Sequence, residues 1–483
     1  LEKTLLNQRI VKGFIWNFIS LAIHRSFDFI IKLVLARILF PDQFGVVAMA
    51  AVFTTFIQVF TNLGFGAAIV QMKESELREE HFHTAFWSGI VWSIFLYIIV
   101  FFIISPVASN FYDEPILLSI IPVLSLGILS SPINAIQKAI LTRNLEFKKI
   151  ALINNIAGIF SGTLALVLAY LGFGIWALVF NSVATFVVVM PLYFKFTNWK
   201  PKITWERKAF NDIFGFGVFT TGTNLLGNLA GNIDYLFIGR ILTSSLVGAY
   251  SLAMMITSQF QTNLITIINQ IMYPVFGKLQ EDKVSLKRYY ATVTMYNSLL
   301  VFPFMGFFIV FNDTFITIFF GDKWSMAVIP LQLLAVSQFI GTMSSTFPVV
   351  LRSIGKPKLE MKIQFVVTFF LDIPLIFFGT YLYGVIGTSI AVILINVINL
   401  FIAQYYVSKF IDFHYYNLMK SIYKPTLITL PVILITFFLA PILNVPFYIN
   451  FAIYFTLYLV LFSVLLQKEI APIISIIKSF RRK

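Results

Sequence analysis

Residues 16–39 read "WNFISLAIHRSFDFIIKLVLARIL". The stretch is long and apolar enough to cross a bilayer, which takes about 20 residues, yet it holds His24, Arg25, Asp28 and Lys32. On a helical wheel with His24 at the origin, Asn17 falls at about 20°, Asp28 at about 40°, Lys32 at about 80° and Arg25 at about 100°. An ionisable group at mid-bilayer costs roughly 2.5–3.5 kcal/mol even on the gentle insertion scale. A narrow polar arc of this kind is tolerable only on a face turned to a protein interior or a water-filled cavity.

The rest of the chain extends that setting. It has 483 residues, 59% hydrophobic and 12% charged, about half the charged fraction of a soluble domain. Apolar runs recur along its whole length, so the fold class is an all-α polytopic membrane protein. Zero cysteines exclude disulfides, thiolate metal sites and cysteine nucleophiles. Fourteen spans are read, near 10–39, 43–70, 83–109, 116–141, 150–171, 173–196, 210–242, 246–275, 288–311, 326–351, 360–381, 384–408, 422–442 and 447–467. The net charge of +14 is a topology signal rather than a nucleic-acid footprint, because most Lys and Arg sit in alternate connections such as "KFTNWKPKITWERK" (195–208). The other connections are short and lack them, except that between spans 9 and 10, which holds Lys323. Both termini are expected in the cytoplasm.

A shift of 203 residues aligns "RILFPDQFGVVAMAAVFTTFIQ" (37–58) with "RILTSSLVGAYSLAMMITSQFQ" (240–261) without a gap, and seven of 22 positions are identical, among them Arg37/Arg240, Gly45/Gly248 and Thr54/Thr257. A second echo, offset by 209, pairs Phe111, Asp113 and Arg143 with Phe320, Asp322 and Arg352. Six spans separate each pair, so the halves enter the membrane in the same orientation, as parallel transporter repeats do. The expected division is a six-helix lobe over 1–208, a second over 209–420, and an extra helix pair with a basic tail over 421–483.

Span 7, the counterpart of span 1, replaces charges with amides and hydroxyls: Thr221, Asn224, Asn228, Asn232 and Tyr235 share one arc. Span 2 adds Thr54, Gln58, Thr61 and Asn62; span 8 adds Thr262, Asn263, Thr266, Asn269 and Gln270. Such groups donate and accept as sugar hydroxyls require, or they bond helix to helix at about 0.6 kcal/mol per pair. Asp28 lies one turn from both Arg25 and Lys32, so internal pairing can neutralise one cation and leave a surplus suited to an anion. Asp234 either pairs with Arg240 or binds a coupling ion, and Asp28 is the other ion-coupling candidate. Arg37 and Arg240 are outer-rim residues, read as gate ion pairs or snorkelling anchors. Proline-bearing spans, including the one with Pro303, are expected to be kinked. No phosphate-binding, zinc-protease or calcium motif appears, so no cofactor or metal is expected. "EEHFH" (79–83) is read as a solvated helix start.

In "LARILFPDQFGVVAMA", its echo "GRILTSSLVGAYSLAMMI", and "QKAILTRNLEFKKIALI" (137–153), the chain resembles the polysaccharide-transporter branch of the multidrug/oligosaccharidyl-lipid/polysaccharide superfamily, above all the Wzx-type polysaccharide flippases. The resemblance covers the whole chain. It implies two rocking six-helix lobes that carry undecaprenyl-pyrophosphate-linked oligosaccharides across the bacterial cytoplasmic membrane, with membrane lipids and a polysaccharide polymerase as partners. It also implies that Arg25 and Lys32, joined by His24, hold the pyrophosphate. Asn17, Gln58, Thr221, Asn224, Asn228 and Asn232 face the sugar, and the last helix pair forms a groove for the prenyl tail. The alternative is a drug/cation antiporter, for which a carboxylate-rich cavity is expected. A membrane glycosyltransferase or polymerase would need large outer loops that this chain lacks.

Overall fold

In the computed structural model, residues 25–61, 64–443 and 445–466 are described, with backbone alone at 215–224, 260, 262–264, 267, 270, 441 and 443. Asn17, His24 and Asn62 therefore lie outside the described residues, as do the side chains of Thr221, Asn224, Thr262, Asn263 and Gln270. The architecture is all-α, with no strand among the described residues. The helices are α1 (25–38), α2 (Pro41–Thr61), α3 (Phe65–Gln71), α4 (Glu79–Ile99), α5 (Ser105–Tyr112), α6 (Leu117–Leu124), α7 (Leu126–Arg143), α8 (Phe147–Tyr170), α9 (Ile175–Thr197) and α10 (Arg207–Ala230). They continue as α11 (Ile233–Ile241), α12 (Ser244–Lys278), α13 (Lys283–Phe319), α14 (Val328–Ser344), α15 (Phe347–Ser353), α16 (Pro357–Val367), α17 (Ile373–Ile411), α18 (Tyr415–Leu443) and α19 (Phe447–Leu465).

Ten helical stretches among the described residues are long and apolar enough to cross a membrane. One, Pro357–Ile411, has 55 residues, about 82 Å of helix against a hydrocarbon core of about 30 Å. It breaks at Tyr383 and Gly384, where Gly384 takes φ +60° and ψ −142°, a region that glycine enters without a Cβ clash. The expected spans 360–381 and 384–408 meet at this break. The expected count of fourteen is not reached by these ten stretches.

Contacts gather into two compact units. The first holds the described residues through Leu252 with Phe319–Trp324 and Gln364–Thr388. Here α1 packs a ridge of three residues at four-residue spacing, Ile31, Leu35 and Leu39, against Ala165 and Ala169 of α8 and Ala177 of α9. Its C-terminal carbonyls are capped from afar: Lys323 Nζ donates to the Arg37 and Ile38 oxygens at 2.9 and 3.2 Å, and Trp324 Nε1 donates to the Ala36 oxygen at 2.8 Å. A cation at a helix C-terminus is favourable, which accounts for the one lysine that departs from the alternating charge pattern.

The sequence repeat has a geometric counterpart in this unit. A Cβ on Gly45 would overlap the Ser244 carbonyl, and a Cβ on Gly248 would overlap the Pro41 carbonyl. A shift of 203 turns Pro41 into position 244 and Gly45 into 248, so the crossing of α2 with the start of α12 maps onto itself when the halves are exchanged. Glycine is required at both positions because backbone faces backbone.

In the second unit, Phe276, Tyr290, Phe347, Phe413 and their neighbours form the core. Pro303 inside α13 has no N–H for the Leu299 carbonyl, and the Tyr458 hydroxyl of α19 donates to that oxygen at 2.8 Å. Tyr454 donates to the Pro303 oxygen at 2.9 Å. The backbone of α13 leaves helical geometry at Phe311 and not at Pro303, so the kink expected at Pro303 is not found there; Pro303 is instead a docking point of the last helix.

Candidate functional site

The α1 stripe forms an ion pair within itself. Lys32 Nζ lies 2.9 Å from Asp28 Oδ2, and both side chains are about a third exposed. Spacing of i, i+4 makes the pair local, and Arg25 one turn earlier is exposed. On the same wheel Leu35 and Leu39 fall at about 20° and 60°, so the ion pair and the aliphatic ridge share one side of α1, the pair nearer its start and the ridge continuing toward its end.

A chamber with a mostly apolar lining that carries a set of polar groups lies in the same unit, in two adjoining lobes of about 390 and 480 Å³ that share Thr61, Ala135 and Lys138. Gln58 and Thr61 reach it from α2, Ser130, Ser131, Asn134 and Lys138 from α7, and Thr185 from α9. Thr61 and Ser131 bond across it at 3.3 Å. Lys138 is exposed with no acidic partner among the described residues, the Asn134 Oδ1 is buried without a partner, and none of the lining residues is acidic. The arrangement offers one ammonium, amides and hydroxyls, a donor-rich set for an anion with hydroxyl groups. Of the sequence candidates Gln58 and Thr61 line it. Thr54 is spent on its own helix, its hydroxyl donating to the Ala51 oxygen. The α7 residues were missed, although Ser130, Asn134 and Lys138 recur every four residues and so share a helix face.

Span 7 is broken at Gly231 and Asn232, which separate α10 from α11. Asn232 Nδ2 donates to the Asn228 oxygen at 2.8 Å, so this amide serves the break. Asn228 is half-buried. Just beyond, Asp234 is buried, accepting from the Tyr250 hydroxyl at 2.7 Å and from the Tyr235 amide at 2.9 Å. The expectation that it pairs with Arg240 is corrected: Arg240 pairs with Asp113 at 2.6 Å and donates to the Phe111 oxygen at 2.9 Å. A second carboxylate, Asp372, is near enough to Asp234 for the two charges to repel. It closes the five-residue π-helical turn Thr368–Asp372, a type of turn that recurs at functional sites. Its Oδ1 and the nearby Tyr112 hydroxyl are buried without partners. Two buried carboxylates in one unit, one with an unpartnered oxygen, make an acid pocket that a proton or small cation would suit.

The rim arginines keep the repeat symmetry. Arg240 meets Phe111 and Asp113, while the Arg37 guanidinium lies beside Gly321, between Phe320 and Asp322, the residues that the second echo matches to that pair. The "EEHFH" turn is solvated at Glu79 but not at its histidines. His81 and His83 are buried, His81 Nε2 lies 3.3 Å from Asp212 Oδ2, and His83 stacks on Trp199. Among the described residues no group of three or more His, Cys, Asp or Glu could hold a metal ion.

In the second unit, an apolar cavity of about 530 Å³ lined by Met272, Tyr289, Tyr296, Leu300 and Phe462 lies between α12, α13 and α19. It involves the last helix pair, where a groove was expected.

This fold is a membrane transporter fold. It resembles the inward closed conformation of the lipid II flippase MurJ with a TM-score of 0.76, at 16% identity, over 94% of this chain and 100% of that one. The profile of the family described as polysaccharide biosynthesis protein matches residues 34–330, more than half of the chain, and the protein belongs to that family. It is 24% identical to the lipopolysaccharide biosynthesis protein WzxC of Escherichia coli (strain K12), over 91% of this chain and 89% of that protein. It is 26% identical to the teichuronic acid biosynthesis protein TuaB of Bacillus subtilis (strain 168), over 80% and 79%.

Proposed function

We propose that this protein is a flippase, not an enzyme, that moves undecaprenyl-pyrophosphate-linked oligosaccharide units across the bacterial cytoplasmic membrane by alternating access. The observation that carries the reading is the chamber around Lys138, whose lining holds a cation, amides and hydroxyls but no carboxylate. A cationic drug would leave that ammonium repelled, whereas a pyrophosphate sugar satisfies both the charge and the hydroxyl-bonding groups. Family membership supports the same class of cargo.

Arg25 and Lys32, with His24 before them, extend the cationic surface on which the pyrophosphate rests, and Asn17, Thr221, Asn224, Asn228 and Asn232 extend the sugar wall. The lobes over 1–208 and 209–420 rock, Arg37 and Arg240 form the outer gate, and both termini lie in the cytoplasm. The acid pocket of Asp234 and Asp372, together with Asp28, couples this motion to a cation or proton. Turned-over units pass to a polysaccharide polymerase.

The test is transport in proteoliposomes loaded with a radiolabelled undecaprenyl-pyrophosphate oligosaccharide, scored by access of a membrane-impermeant glycosidase. Wild-type protein should expose the label, and protein with Lys138→Ala and Arg25→Ala should expose far less at equal insertion. Equal exposure with and without protein would remove the flippase reading.

A further inference from the structure

A second, separate feature of the first unit lies where α4 and α10 diverge. Trp87, Val91 and Phe95 follow one another at four-residue spacing on α4, Phe210 and Phe214 do the same on α10, and Ile203 and Trp205 from the connection lie across one end. Together they line an almost wholly apolar groove of about 1080 Å³, at the upper end of the ~300–1,000 Å³ of ordinary small-molecule sites.

The groove is built rather than left over. All three of its indole N–H groups are bonded: Trp87 to the Lys202 oxygen at 2.8 Å, Trp205 to Ser88 Oγ at 2.9 Å, and Trp92 to the Phe60 oxygen at 2.8 Å. Fixing the polar edge of each ring leaves its apolar face for the cavity. The connection itself is held down at both ends. His83 Nδ1 accepts from the Lys202 amide at 3.2 Å, Thr84 Oγ1 accepts from the Glu206 amide at 3.1 Å, and Arg78 pairs with Glu206 at 2.9 Å. That anchoring holds Ile203, 92% exposed, in a loop whose other residues are largely charged or polar.

Charge decides the occupant. Lys200, Arg207 and Lys208 flank the lining residues Ile203, Thr204 and Trp205 in the sequence, exposed and without acidic partners among the described residues. A neutral lipid would have no use for them. From Trp87 to Phe95 the wall is eight residues long, about 12 Å of helix, close to the depth of one leaflet of a ~30 Å core.

We infer that this groove seats the isoprenoid chain of the lipid-linked substrate, with its phosphate against Lys200, Arg207 and Lys208, at the leaflet the basic connections face. The inference rests on the flippase reading for the identity of the lipid, and it places the first contact with the tail on α4 and α10 rather than on the last helix pair. The substrate would be held by its tail in lipid while the headgroup samples the chamber around Lys138.

The test uses the full chain in phosphatidylcholine nanodiscs and undecaprenyl phosphate carrying a photoreactive group in its isoprenoid chain, so that no sugar transport is involved. Cross-links should map to residues 87–95 and 203–214. Unlabelled undecaprenyl phosphate should compete, and equimolar phosphatidylglycerol should not. Each of Lys200→Ala, Arg207→Ala and Lys208→Ala should reduce labelling about fivefold, the worth of one cation beside an anionic lipid. Val91→Trp, which fills the groove, should reduce it about tenfold, while the exposed charge variants guard against a packing failure. Labels confined to α12, α13 and α19, or equal competition by phosphatidylglycerol, would overturn the inference. Oligosaccharide transport without labelling at the groove defeats this inference alone; labelling at the groove in a protein that moves no oligosaccharide defeats the flippase reading alone.

Discussion

Lys138 enters a chamber whose other polar groups are neutral amides and hydroxyls, whereas Asp234 and Asp372 are sealed among tyrosines in the same compact unit. The first site is half open and short of negative charge. The second is buried and short of positive charge, with a carboxylate oxygen and a phenol both unpartnered. A buried charge without a partner costs several kcal/mol, so an acid pocket of this kind is stable when a proton or small cation visits it. The wet chamber carries no such penalty and can stand empty. The difference separates two jobs that a transporter needs: one surface that releases a large anionic cargo, and one pocket whose occupancy changes the energy of the fold.

The largest expected effect breaks the acid side. Asp372→Asn removes the charge while keeping the shape and a hydrogen-bonding oxygen. Coupling free energies of about 1–3 kcal/mol correspond to roughly 5–150-fold, and the double variant with Asp234→Asn should lie near the top of that range. The readout is transport into proteoliposomes under imposed pH or sodium gradients. A variant that still responds fully to the gradient would show that the pocket does not couple.

Next comes the cationic side. Lys138→Ala should weaken binding of a pyrophosphate sugar about tenfold, the lower end for a hydrogen bond to a charged group, with no change in gradient dependence. Calorimetric titration with a short-chain prenyl pyrophosphate sugar would measure it. If affinity is unchanged, the chamber does not hold the headgroup.

A smaller effect tests how the acid pocket is held. Tyr250→Phe removes the 2.7 Å bond to Asp234 and should cost about 1–3 kcal/mol of stability at neutral pH, read as a lower melting temperature in detergent. In the Asp234→Asn background the same change should cost less, because the lost bond is then neutral. Equal losses in both backgrounds would mean that Asp234 is not charged in the folded protein.

These two regions were not equally legible. The repeat was, because Gly45 and Gly248 must both be glycine where α2 and α12 cross, and identity at a steric limit survives in the letters. The charged arc of α1 was also readable, since lipid makes every ionisable residue conspicuous. Asp372 escaped because it is a single acid in "VVTFFLDIP", and its orientation depends on a π-helical turn that has no signature in hydropathy. Asp234 was seen, but its partner was misassigned: a carboxylate six residues before an arginine on one helix suggests pairing, whereas Arg240 turns to Asp113 from another segment. Asn134 and Lys138 were masked by the prolines of their span, which drew the reading toward kinks. The aromatic groove was hidden for a different reason. Its wall combines α4 with a connection whose five lysines and arginines made it look like a topology signal alone.

The smallest expected effect falls on Asp28, which could belong with either region. Its bond to Lys32 is an i, i+4 pair about a third exposed, worth about 0.3–0.5 kcal/mol, so Asp28→Asn should leave the melting temperature nearly unchanged. Its functional signature depends on which region it serves. If the α1 stripe belongs to the anionic cargo surface, removing the carboxylate releases Lys32 and should lower the KM for the lipid-linked sugar while leaving gradient dependence intact. If Asp28 takes part in coupling, the same variant should resemble Asp372→Asn, with gradient dependence lost and KM little changed. A split of KM against gradient response in one variant therefore assigns α1 to the cation-bearing chamber or to the acid pocket, and a variant with neither change would leave the α1 pair as a scaffold for its own helix.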